Sequence, residues 1–240
     1  THEWWGWRGS LATLGALAAI MLLLAWWAVP ESLPAAQRTT GGLRSTFAPT
    51  GRLLRDGRFV ALVVAFGLGF GTMMAYISAS PFVAQNILGM SPLLYSLSFS
   101  AAASALIIAN LVNSRVAPRL GPARMLVVAV VLLILGAFGM LAFVLTDTLG
   151  AAAFIACAFV STAGIGLMLS NASALALARA DHARGSGSAL LGAVQFLLGG
   201  IVSPLPGLWG EGTAVPMAVI MAVTVCLTTV AAVFALRPER

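Results

Sequence analysis

A chain of 240 residues that is 60% hydrophobic and only 8% charged falls far outside soluble domains, which carry about 25% charged residues. Its net charge of +6 does not point to nucleic acid, because the 13 basic residues, all arginines, sit in links between apolar runs with no folded basic domain behind them. The composition leaves a polytopic membrane protein in contact with a lipid bilayer, its arginines placed to meet anionic headgroups.

The first apolar run spans 11–29. Trp4, Trp5 and Trp7 precede it and Trp26 and Trp27 close it, the pattern of an aromatic belt at both interfaces. Arg8, an apolar stretch and the small-residue tail AVPESLPAA also match a secretory signal. Glu3 cancels Arg8, however, and the run exceeds a typical signal core, so a genuine span is expected. The link 30–58 starts with Pro-Glu-Ser-Leu-Pro and ends in TGRLLRDGRF. It reads as a cytoplasmic linker leading into a short juxtamembrane helix, with Thr50 as candidate N-cap and Leu53, Leu54 and Phe59 meeting the interface. Six further runs follow at 59–79, 93–113, 123–145, 149–171, 186–206 and 213–236, each near or above the ~18–20 residues needed to cross a bilayer. The links among them are tight, so 59–240 is expected to form one six-helix unit. Six such helices suit a three-plus-three inverted repeat, although the sequence itself displays no clear symmetry. The first residue is not Met and the first span has no partner of its own, so the chain reads as part of something longer.

The links alternate in charge. Arg38, Arg44, Arg52, Arg55 and Arg58 lie in the first, Arg115, Arg119 and Arg124 in the third, Arg179 and Arg184 in the fifth, and Arg237 and Arg240 in the tail. The links 80–92, 146–148 and 207–212 hold no arginine, only Asp147 and Glu211. Positive loops stay in the cytoplasm, which places the N-terminus outside and the C-terminus inside.

Catalysis needs titratable groups close together. No Asp, Glu or His falls within any run, Arg124 at the very start of 123–145 is the one arginine inside one, Lys is absent altogether, and His2 and His182 lie in aqueous segments. Intramembrane proteases, metalloenzymes and retinal proteins lose their required residues by this count, so no enzyme, metal or cofactor is expected. Cys157 and Cys226 read as free apolar thiols. GLGFG at 67–71 and GSGSALLG at 185–192 lack the strand and lysine of a phosphate loop and read as packing glycines. Pro81, Pro204, Pro206 and Pro216 read as helix termini.

Uncharged polar residues are what remains inside the spans. Gln195 stands roughly 13 Å into its run, where an unpaired amide is costly, and should face a cavity or a polar partner. Asn171, Tyr76, Ser78 and Ser100 complete the candidate cavity set. Asn171 also suits an interhelical hydrogen bond, and Tyr76 an aromatic belt.

AYISASPFVAQ at 75–85 followed by GMSPLLYSLSF at 89–99, and GLMLSNASALALA at 166–178 followed by HARGSGSALLGAVQF at 182–196, resemble the bicyclomycin-resistance (Bcr/CflA) drug-efflux branch of the major facilitator superfamily. NSRVAPRLGPARML at 113–126 resembles the superfamily's loop between helices eight and nine, and WWGWRGS with VPESLP resembles the ends of helix six. The resemblance covers essentially the whole chain. It implies an all-α fold of seven transmembrane helices: 1–29 as the final helix of an N-terminal bundle, 30–58 as the inter-bundle linker, and 59–240 as the C-terminal six-helix bundle. It further implies proton-driven efflux of drugs or small amphipathic metabolites across a bacterial inner membrane, with the N-terminal bundle of the same protein as partner and the proton-carrying group in that bundle. Arg119, Gly121 and Arg124 match the conformational loop motif. Pro118 stands where the motif usually has an acid, and Ala102 stands where relatives often have Asn. A facilitator permease for another metabolite and a seven-helix receptor are the alternatives.

Overall fold

The computed structural model describes residues 2–28, 50–181, 183–209 and 212–237, with backbone alone for 2–7 and 10. The tryptophans at 4, 5 and 7, most of the linker, His182, Glu211 and Arg240 therefore lie outside the described side chains. Every regular element among the described residues is helical. Seven helices are long and apolar enough to cross a membrane. They are α1 His2–Ala28, α2 Gly57–Phe82, α3 Pro92–Leu120, α4 Pro122–Leu145, α5 Ala151–Arg179, α6 Arg184–Val202 and α7 Val215–Leu236.

The chain divides into two units, Thr1–Ser45 and Thr46–Arg240. The described part of the first is α1, whose side chains from Leu11 to Ala28 are all exposed, Trp26 and Trp27 at 87%. An apolar helix exposed on every face needs lipid or other helices around it.

The second unit is a bundle of six helices. The juxtamembrane helix expected before it is a single turn at 50–53, with Leu53 buried and Leu54 exposed. The cap that starts α2 is Asp56, whose carboxylate accepts from the N–H groups of Arg58 and Phe59 at 3.0 and 3.2 Å. Helices α3 and α5 run on to Leu120 and Arg179, past the expected ends at 113 and 171. Hydropathy marks where hydrocarbon stops, but the backbone ladder ends only where geometry breaks it. For α3 that point is Gly121, at φ 84°, a left-handed value that glycine adopts without steric cost. Pro122 then opens α4 at a position where its missing N–H costs nothing. Pro81 lies inside α2 just before a π-helical turn, Val83–Ile87, whereas Pro204 follows the end of α6 and Pro216 opens α7.

The packing has a hidden symmetry. The main contacts are α4 with α5, α2 with α7, α2 with α6, α3 with α5, α2 with α5, and α4 with α7. Exchanging α2, α3, α4 for α5, α6, α7 maps this set onto itself. Because α2 and α5 run in opposite directions, the relation is that of an inverted repeat, with α2 and α5 central.

Small residues make the approach possible. A Cβ on Gly136 of α4 would lie 2.2 Å from the Ser161 hydroxyl and 2.6 Å from its backbone nitrogen on α5. Nearby, a Cβ on Gly164 would meet the Leu133 nitrogen at 2.8 Å. The equivalent α2–α7 seam is joined by the hydroxyls of Thr72 and Thr224, 2.9 Å apart and fully buried.

Candidate functional site

A cavity of about 300 Å³ opens between α2, α3 and α5. Met73, Tyr76 and Ile77 line it from α2, Phe99, Ala102, Ala103, Leu106 and Ile107 from α3, and Thr162 from α5. No charged side chain reaches it, and its wall is almost wholly apolar. The helical repeat explains this set. Ala102 and Leu106 are one turn apart, as are Phe99 and Ala103, so one face of α3 supplies them. On α2 the same holds for Met73, Tyr76 and Ile77.

Tyr76 is the structural centre of the site. It is 4% exposed, its ring stacks on Phe99 at a centroid distance of 6.4 Å and an interplanar angle of 7°, and Phe154 of α5 leans on it at 6.0 Å. That places Tyr76 within the bundle, away from an interfacial belt. Its hydroxyl has no hydrogen-bond partner among the described residues; nearby, the hydroxyls of Ser80 and Tyr95 pair at 3.1 Å. An unpaired hydroxyl in a low-dielectric setting leaves a favourable interaction unmade.

The other expected residues are dispersed. Ser78 lines a second cavity, about 200 Å³, at the arginine-poor end, with Phe82, Ser203, Pro206, Thr213 and Met217 among its walls. Its hydroxyl donates to the Ala75 carbonyl at 3.3 Å. Ser100 is exposed and donates to the Ser96 carbonyl at 2.8 Å. Gln195 on α6 is half-buried, makes no hydrogen bond with a described residue, and lines neither cavity. Asn171 is sealed between α5 and α3, donating to Asn113 at 2.9 Å and to the Leu167 carbonyl at 2.8 Å. One residue earlier on α5, Ser170 donates to Asn110, whose amide donates to the Leu106 carbonyl at 3.0 Å. Leu106 lines the first cavity, so these polar pairs form the packing directly below it. Asn113 and its pairing with Asn171 were hidden in the sequence, since Asn113 reads there as the start of a loop.

At the arginine-rich end, Arg119, Gly121 and Arg124 sit on the α3–α4 turn, both arginines exposed. Another link at this end was not legible. Arg179 at the end of α5 donates to Asp56 at the start of α2, 2.7 Å apart and about one-third exposed on each side. Partial burial pushes the Asp56 carboxyl upward, but the Arg179 hydrogen bond and the backbone N–H groups of Phe59 and Arg58 outweigh it and hold the carboxyl below its ordinary value. The D-G-R-F sequence carries a cap signal, while nothing near residue 179 announces the partner.

The family model of the major facilitator superfamily matches residues 1–204. The chain belongs to the major facilitator superfamily. It is 32% identical to the uncharacterized MFS-type transporter YdgK of Bacillus subtilis over 98% of its own length and 58% of that protein's. It is 23% identical to a bicyclomycin resistance protein homolog of Haemophilus influenzae over 95% of its length and 57% of the relative's. The chain thus spans less than two thirds of these curated relatives. As a superfamily member it is a multi-pass membrane protein related to transporters, in keeping with a helical bundle that holds an apolar cavity.

Proposed function

We propose that the chain is the C-terminal half of a secondary-active exporter that moves drugs or small amphipathic metabolites in exchange for protons. Residues 1–29 form the last helix of the N-terminal bundle, 30–58 the inter-bundle linker, and 59–240 the C-terminal bundle. The arginine-rich end faces the cytoplasm of a bacterial inner membrane, with the N-terminus of this chain outside. The observation that carries this reading is the apolar cavity between α2, α3 and α5 in a superfamily member. Its volume, about 300 Å³, lies at the small end of ligand pockets. With no charge on its wall it favours an apolar part of the substrate, held against Tyr76 and Phe99. A proton carrier requires a membrane-embedded titratable group. The described spans offer no carboxylate, histidine or lysine, so that group belongs to the other bundle.

The test is transport by the full-length protein in proteoliposomes. An imposed pH gradient should drive substrate against its concentration, and Ala102→Leu, which fills the cavity wall, should lower transport of the bulkier substrates first. Indifference to the gradient would reject proton antiport. Net uptake in cells would favour a permease.

A further inference from the structure

The described acids at the arginine-rich end are Asp56 and Asp181, and both are engaged, by Arg179 and Arg184. Arg115, Arg119 and Arg124 have no ion pair or hydrogen bond with a described residue, and all are exposed. Their placement is not that of simple solvated charges. On α3, Ile108, Leu111 and Val112 are exposed at 49–54%, and Arg115 and Arg119 continue the same face at helical spacing. On α4, Arg124 heads a second exposed face, Val127, Val128, Val131 and Leu135, at 42–60%. Both faces start at the Gly121 turn and run into the apolar zone. Guanidinium groups at the head of two outward apolar stripes reproduce the order of phosphate and acyl chain in a phospholipid. Arginine also suits the partner, because its planar fork binds phosphate oxygens in pairs.

We propose that the α3–α4 hairpin is a seat for an anionic phospholipid, with Arg115, Arg119 and Arg124 around the phosphate and the stripes beneath Ile108 and Val128 holding the chains. Among the described residues, the other arginines without an ion pair lack this combination. Arg52 and Arg55 lie at or just beyond the single turn 50–53, and Arg237 follows the end of α7. The proposal is independent of transport direction and substrate.

The experiment uses the full-length protein, delipidated in neutral detergent, with bound lipid counted by native mass spectrometry during titration with phosphatidylglycerol or phosphatidylcholine. The expected result is preferential retention of phosphatidylglycerol, weakened in R115Q/R119Q/R124Q by up to about fivefold per arginine removed at low salt, and less in high salt. The charge-matched variant R52Q/R55Q/R237Q should stay within about twofold of wild type, and R115K/R119K/R124K should retain most of the binding. Glycerol phosphate at equal concentration should not compete, having no chains to lay on the stripes. Equal loss in both glutamine triples would mean diffuse charge and overturn the seat, as would equal retention of both lipids. Competition by glycerol phosphate as strong as by the lipid would replace it with a free-anion site. If the hairpin triple does not fold, Arg115→Gln and Arg124→Gln are measured singly, each expected to weaken retention and overturning the seat if neither does.

Discussion

Replacing Gly136 by alanine tests how the α4–α5 contact holds the central helix in place. The added Cβ would lie 2.2 Å from the Ser161 hydroxyl, 2.6 Å from its nitrogen and 2.8 Å from its Cα. Ordinary contact begins near 3.4 Å, so the helices must separate by roughly 1 Å. Two of the three atoms are backbone and cannot swing aside. Overpacking of this kind costs about 1–3 kcal/mol, while the gain in helix propensity of alanine over glycine returns up to about 1 kcal/mol. A net loss of up to about 2 kcal/mol should appear as a lowered unfolding midpoint of the full-length protein in detergent. Gly192→Ala is the control, because nothing lies within 4 Å of its Cβ position, and it should be neutral or slightly stabilising. Adding Ser161→Ala to Gly136→Ala removes the hydroxyl clash and leaves the backbone clashes, so it should rescue only part of the loss. If Gly136→Ala unfolds together with Gly192→Ala, the helices are not in backbone contact here and the packing argument fails.

Ser161→Ala alone should be neutral or stabilising by up to about 1 kcal/mol in the same assay, since its buried hydroxyl has no partner to lose. Asp56→Asn should destabilise by about 1 kcal/mol at neutral pH through the weakened cap and the lost ion pair. The Asp56 carboxyl is held below its ordinary value of 3.8, so its contribution is present above that value and lost as pH falls through the lower folded one; the difference between wild type and Asp56→Asn should close in unfolding curves taken well below pH 3.8. Asn171→Leu leaves Asn113 unpaired and should cost about 0.5–2 kcal/mol, with much of that recovered in the double variant Asn113→Leu/Asn171→Leu. Gln195→Ala in the full-length protein should leave the substrate profile unchanged, because the side chain lines neither cavity; a changed profile in transport assays would put Gln195 on the substrate path.

All seven spans were legible because the bilayer imposes one demand, about twenty apolar residues per crossing, that hydropathy reads directly. The glycines of 67–71 were legible as packing residues for the same reason that they are not a phosphate loop: Gly67 and Gly71 sit on α2 against Val194, Leu198 and Val202 of α6. The inverted repeat was legible only as six tightly linked spans and not as matching residues, because symmetry of packing constrains which faces touch and leaves the identity of the touching residues free. The cavity was only half visible. Tyr76 stands out as a polar aromatic within a span, and Ala102 by its departure from the family pattern, but Phe99, Leu106 and Thr162 are apolar or small residues that carry no chemical signal of their own. Polar residues draw attention in proportion to their rarity, and most of them bond within their own helix, as Ser78 and Ser100 do.

The symmetry makes one contrast informative. The α3–α5 and α2–α6 seams are equivalent in the packing yet unlike in chemistry. The first is tied by two polar pairs on successive turns, Asn110 with Ser170 and Asn113 with Asn171. The second joins Gly67, Gly71 and Gly199 to Phe70, Leu198 and Val202, with Phe70 edge-on to Phe196 at 5.7 Å and no side-chain hydrogen bond across it among the described residues. A hydrogen-bonded pair fixes the register of two helices, because a slip of one residue leaves amides unpaired in an apolar medium. A seam of glycine and aliphatic side chains has no such penalty. Motion within this bundle should therefore concentrate on α6 against α2, while α3 and α5 keep the cavity wall intact. Cysteine pairs introduced across each seam test this in full-length protein. Locking α6 to α2 between positions 67 and 194 should slow transport, and locking α3 to α5 between 113 and 171, outside the cavity wall, should leave it near the wild-type rate. The opposite ranking would show that the polar seam is the one that moves and that its hydrogen bonds are exchanged during the cycle.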